Sequence, residues 1–145
     1  MNTKRWLITS LVVFVVAQIL EFIIHAVILS GIYETTAHLW RSESEMNSMM
    51  WIMWLSGLIW AFLFVYIFIK GYEGRGIMEG VRFGLIIGLF FSIPMSLGSY
   101  AAQPIPFSLA VYWFIFGVIE IVILGVVTAL LYKPVQPPIS ETDAA

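Results

Sequence analysis

A carboxylate and an imidazole four residues apart are the first chemistry this chain offers. Glu21 and His25 lie in an otherwise apolar stretch, and Gln18 sits three residues before the glutamate. On a helix these spacings bring the three side chains to one face. A second carboxylate, Glu120, lies in another apolar stretch towards the far end of the chain. At matching depth on two helices, Glu21 and Glu120 could face one another or share a proton. His25 could pair with Glu21 in either protonation state. That is what a proton relay or a cation-binding step requires. The same residues could instead be polar glue between helices, where each hydrogen bond is worth about 1 kcal/mol. A metal or haem site is a third reading. It needs Glu21, His25 and Glu120 to converge, or His25 from two copies, and that ligand set is thin.

Composition decides where such residues sit. The chain has 145 residues, of which 61% are hydrophobic and 11% charged. A soluble core this apolar would leave no surface to hydrate, so the class is integral membrane and the organisation one domain. The lipid bilayer is the first partner. There are no cysteines, which excludes disulfides, thiolate metal sites and cysteine nucleophiles. A net charge of −2 offers no basic field for nucleic acid. No hydrolase elbow, phosphate-binding loop or deaminase motif is present, so neither an enzyme nor a cofactor is expected.

Four apolar stretches predict an all-α, four-helix transmembrane bundle over 1–133, with helices at about 6–32, 46–69, 77–99 and 107–132. The first would span about 40 Å as a helix, against roughly 30 Å of hydrocarbon. A secretory signal with a cleavage site near Val15-Val16-Ala17 competes with it. The apolar run continues well past Ala17, which favours the span. Residues 134–145 carry prolines and acids and predict a disordered tail. Lys4, Arg5, Lys70, Arg75, Arg82 and Lys133 fall on one side of four spans and Arg41 alone on the other. The positive-inside rule then places both termini in the cytoplasm.

The third helix carries the most regular signal. Gly76, Gly80, Gly84 and Gly88 recur every four residues, and Ser92 and Ser96 continue the register. Each interior glycine costs roughly 1 kcal/mol of helix propensity. Close backbone approach by a second helix recovers that cost, whether inside one bundle or between two copies. Pro94 is expected to kink this helix, and Glu79 and Arg82 to form a local ion pair near its start. In the outer loop, Glu34 and His38 repeat the Glu-x-x-x-His spacing beside Arg41. They read as a partner or substrate contact, weak metal capture, or a solvated helix end.

Several of these residues together resemble a known pattern. Glu21, His25, Tyr33 and Leu39-Trp40-Arg41 come first. Then come Gly80-x-Arg82-Phe83-Gly84-Leu85-x-x-Gly88, Gln103-Pro104-x-Pro106, and Gly125 with Tyr132. The set is similar to a family of small four-span bacterial inner-membrane proteins of uncharacterised function. That resemblance implies the topology and no catalytic residue. Small multidrug exporters are similar in size class and also carry a carboxylate in the first helix, but no exporter motif stands out here. Two functions follow as expectations. One is a proton- or cation-handling transporter or channel, oligomeric, built on Glu21, His25 and Glu120. The other is a non-catalytic accessory subunit of a larger membrane complex.

Overall fold

The computed structural model describes residues 2–132. Lys133 and the tail expected over 134–145 lie outside them. Every regular element among the described residues is helical. Helix α1 (Thr3–Glu21) runs into a π-helical segment (Phe22–Ile28), followed by the short α2 (Ser30–Thr35) and a 3₁₀ turn (Ala37–Leu39). Helices α3 (Glu43–Lys70), α4 (Ile77–Ala102) and α5 (Phe107–Leu131) complete the chain. Four stretches among the described residues are long and apolar enough to cross a membrane: Thr3–Ile28, α3, α4 and α5.

Local chemistry sets the helix ends. Asn2 caps α1 by accepting the Arg5 N–H at 3.1 Å. Helix α3 starts three residues before the expected Met46 because Ser42-x-x-Glu45 is a capping box. The Ser42 hydroxyl accepts the Glu45 N–H at 3.4 Å, and the Glu45 carboxylate accepts the Ser42 N–H at 3.1 Å. Helix α4 outlasts its expected end at Ser99, and its last turn closes with the Gln103 N–H on the Ser99 carbonyl at 2.8 Å. Pro94 lies within α4, and the helix continues past it.

The first span differs most from the expected continuous helix over 6–32. Its backbone widens at Phe22–Ile28, and the Leu29 N–H bonds back five residues to the Ile24 carbonyl at 2.9 Å. A π-turn inserts an extra residue and re-aims the side chains around it. Neither proline nor glycine marks the widened stretch.

Helices α4 and α5 form a tight antiparallel pair. Gly80 lies on the Gly125 backbone and Ala129. A Cβ on Gly84 would stand 2.6 Å from the Val122 Cα and 2.7 Å from the Ile121 carbonyl oxygen. A Cβ on Gly88 would meet the Val118 Cα at 3.3 Å, and one on Gly117 would meet the Ser92 hydroxyl at 2.7 Å. Any side chain in this seam pushes backbone against backbone. The Ser96 hydroxyl turns inward and donates to the Ser92 carbonyl at 2.6 Å, so it stays satisfied away from water. Gly76, the first glycine of the series, does not join this contact. It is exposed and precedes α4 at φ +67°, a left-handed conformation that glycine adopts without a Cβ penalty.

Helix α1 packs against α3 and α5 over a core of Val13, Ala61, Phe64, Val65, Ile121 and Leu124. The Phe83 ring ties α4 to α3, 4.9 Å from Phe64 and 5.2 Å from Phe68. At one end of the bundle the Trp6 indole donates to the Phe62 carbonyl at 3.2 Å. Tyr72 meets Tyr132 edge-on at that same end. At the other end Ile24, Leu29, Ile105, Leu109 and Ala110 form a second apolar cluster.

The turn between α3 and α4 corrects the expected Glu79–Arg82 pair. Glu79 is buried, and its carboxylate accepts the backbone N–H groups of Glu73 at 2.6 Å and Arg75 at 2.8 Å. Arg82 instead reaches Glu73 at 2.6 Å, and Arg75 joins the same carboxylate at 2.9 Å. The hydrogen bond from Arg82 holds the Glu73 carboxyl below the ordinary carboxylate range. That exposed triad is a minor stabiliser, whereas the buried Glu79 carboxylate is satisfied by two backbone donors of the turn.

Two outcomes follow for the protein in detergent, read by thermal unfolding followed by circular dichroism. Gly84→Leu costs about 1–3 kcal/mol by overpacking. Gly98→Leu, where a Cβ meets nothing within 4 Å, is close to neutral. Glu79→Ala costs about 1 kcal/mol by removing two hydrogen bonds that shape the turn, more than Arg82→Ala does.

Candidate functional site

The π-turn carries the chemistry. Glu21 closes the regular part of α1, and His25 sits one turn later in the widened segment. The His25 Nε2 lies 3.2 Å from a Glu21 carboxylate oxygen. Its other ring nitrogen, Nδ1, lies 2.5 Å from the Tyr33 hydroxyl on α2. From α5, the Trp113 indole N–H donates to the same hydroxyl at 2.8 Å. Three segments thus meet on one line: carboxylate, imidazole, phenol, indole.

Donor and acceptor counting assigns the protons. An indole nitrogen only donates, so the Tyr33 oxygen accepts from Trp113. Burial pushes the Tyr33 phenol up from its ordinary value, the Trp113 hydrogen bond opposes this, and the Glu21 charge adds to it. The phenol therefore keeps its proton at neutral pH and offers it to His25 Nδ1. A neutral His25 then carries its own proton on Nε2 and donates it to Glu21. All the hydrogen bonds run in one direction. Protonating Nδ1 reverses the His25–Tyr33 bond and turns the phenolic hydrogen away. Such a line can exchange a proton between the imidazole and the Glu21 carboxylate, with the phenol answering at Nδ1.

An aromatic wall closes the Tyr33 end. Trp40 packs edge-on to Tyr33 with ring centroids 5.7 Å apart and lies 6.2 Å from Trp113. Its indole N–H donates to the Thr36 hydroxyl at 3.0 Å. That hydroxyl in turn donates to the Ile32 carbonyl at 2.8 Å, which fixes the bend after α2.

The expected site residues separate into groups. Glu21 and His25 stay together, whereas Glu120 is buried on α5. Glu21 does not face the bundle interior as expected. Its side chain is 53% exposed and that of His25 39%. The turn that aims His25 at Tyr33 leaves Glu21 at the outer surface of the bundle. Gln18 leaves the group as well. It points towards α3, where Phe14, Trp54, Leu55 and Leu58 join it around a groove of about 430 Å³. Among the described residues no three His, Cys, Asp or Glu side chains gather closely enough to hold a metal ion. Glu34, His38 and Arg41 are exposed, and α2 ends at Thr35, so Glu34 and His38 do not share a helix. Tyr33 and Trp113 are the residues that spacing alone did not assign to the site. Tyr33 lies eight positions after His25, close to two helical turns.

The tautomer assignment makes a direct prediction. In protein labelled with ¹⁵N-histidine in bilayers, Tyr33→Phe removes the donor to Nδ1 and shifts the His25 Nδ1 resonance. His38 stays unchanged. Trp113→Phe gives a smaller His25 shift, because the phenol remains.

The chain matches no protein-family model, no curated protein and no solved structure.

Proposed function

We propose that this chain is a multi-pass protein of a bacterial inner membrane that handles protons along Glu21, His25 and Tyr33. The observation that supports this reading is the unbroken line from the Glu21 carboxylate through both nitrogens of His25 to the Tyr33 phenol. Polar glue requires only one hydrogen bond per group. Here one imidazole is engaged at both nitrogens by groups that can each exchange a proton. The orientation belongs to the same proposal. Lys4 and Arg5 open α1, and Lys70 and Arg75 flank the α3–α4 turn at the same end of the bundle, with Arg41 at the opposite end. The positive-inside rule makes the first end cytoplasmic, so Tyr33 and Trp113 lie towards the outer face.

The exposure of Glu21 favours a second reading, an accessory subunit. A carboxylate facing hydrocarbon near the bilayer centre costs on the order of 3 kcal/mol. A second copy or a different membrane protein covering α1 would remove that cost.

Proteoliposomes with an imposed potassium diffusion potential and an internal pH dye separate the readings. The proton-handling reading expects proton flux that falls about a hundredfold or more in Glu21→Gln and in His25→Phe. Unchanged flux in both variants contradicts it. The accessory reading expects no flux from the chain alone and a stoichiometric second protein in native mass spectrometry after gentle solubilisation.

A further inference from the structure

We infer that the first half of α3 binds a soft monovalent cation, Cu(I) or Ag(I), through methionine sulfur. This site is separate from the Glu21–His25–Tyr33 line and does not rest on its function. Met46, Met49, Met50 and Met53 read Met-x-x-Met-Met-x-x-Met within eight residues, and the whole chain has seven methionines. At 3.6 residues per turn the four side chains fall within an arc of about 100° on one face of α3. Neighbours in the set are three or four positions apart, the separations at which helical side chains touch.

Packing within the bundle does not explain them. The core residues of α3 are Ala61, Phe64, Val65 and Phe68, all in its second half. From Glu43 to Met49 the helix is exposed throughout. Met46, Met49 and Met53 are exposed, and Met50 is half-buried. The other described methionines, Met78 and Met95, are exposed singly on α4 and have no methionine within a turn.

Thioether sulfur is a soft, neutral donor that selects Cu(I) over the hard cations bound by carboxylates and water. An unbranched side chain with three rotatable bonds lets sulfurs from consecutive turns converge without moving the backbone. Met49, Met50 and Met53 supply three donors from one helix, and Met46 a fourth. Trp51 and Trp54 alternate with them in the sequence of α3. Within about one to two turns of the sulfurs, they report on a bound ion by fluorescence quenching.

The test uses the full chain in nanodiscs, with Cu(I) held by a competing chromogenic chelator and with Ag(I) as a redox-inert counterpart. Wild type is expected to withdraw the ion and quench tryptophan fluorescence. The variant Met49→Leu/Met50→Leu/Met53→Leu keeps side-chain volume and is expected to keep its helicity while losing affinity about a hundredfold. Met78→Leu/Met95→Leu is expected to bind as wild type does. No withdrawal of either ion by wild type overturns the proposal, and so does equal binding by the triple variant.

Discussion

The backbone contact between α4 and α5 is the constraint on which the rest of the molecule depends. Hydrocarbon supplies no hydrophobic drive between helices, so association rests on close packing and short polar contacts. Gly80, Gly84 and Gly88 on one side and Gly117 and Gly125 on the other let two backbones approach where side chains would collide. Once α4 and α5 are locked, the rotation of α5 is fixed. Its other face presents Glu120, Ile121 and Leu124 to the remaining helices, and Trp113 to the far end. Helix α1 packs on the surface so created.

That arrangement explains how a polar line sits in an apolar chain. Trp113 is carried by the rigid pair, and the Tyr33 hydroxyl finds it across the bundle. The π-turn then rotates His25 to meet Tyr33 while keeping Glu21 in reach. A regular helix through Phe22–Ile28 would keep His25 stacked on Glu21 and lose the fixed approach to α2. The irregular backbone is thus tied to the chemistry, as π-segments often are. The same turn leaves Glu21 exposed on the outside of the bundle.

The four long helices were legible because apolar runs of membrane-spanning length have few other solutions. The Ser42-x-x-Glu45 box is a start signal that apolar runs alone pass over, and it accounts for the early start of α3. The pairing of Arg82 was not readable. Sequence spacing favours Glu79 three residues away, but Glu79 is drawn off by the backbone N–H groups of a glycine-bent turn. The π-turn left no mark in residue types. Without it, nothing in the spacing ties Tyr33 and Trp113 to His25, and Glu21 looks as though it must point inward. Gln18 shares a helical face with Glu21 only on an ideal cylinder. In the folded chain it serves the α1–α3 groove. The pattern fixes elements and depth, whereas the meeting of three segments depends on a rotation of about one residue.

The central claim is that Glu21, His25 and Tyr33 handle protons along one line. It is tested most directly by titrating the Glu21 carboxyl in lipid bilayers by isotope-edited infrared spectroscopy, in wild type and in Tyr33→Phe. Coupling along the line predicts that the Glu21 midpoint moves when the Tyr33 hydroxyl is removed, and that the His25 titration moves with it. Identical Glu21 and His25 titrations in the two proteins would contradict the account and leave these residues as structural hydrogen bonds.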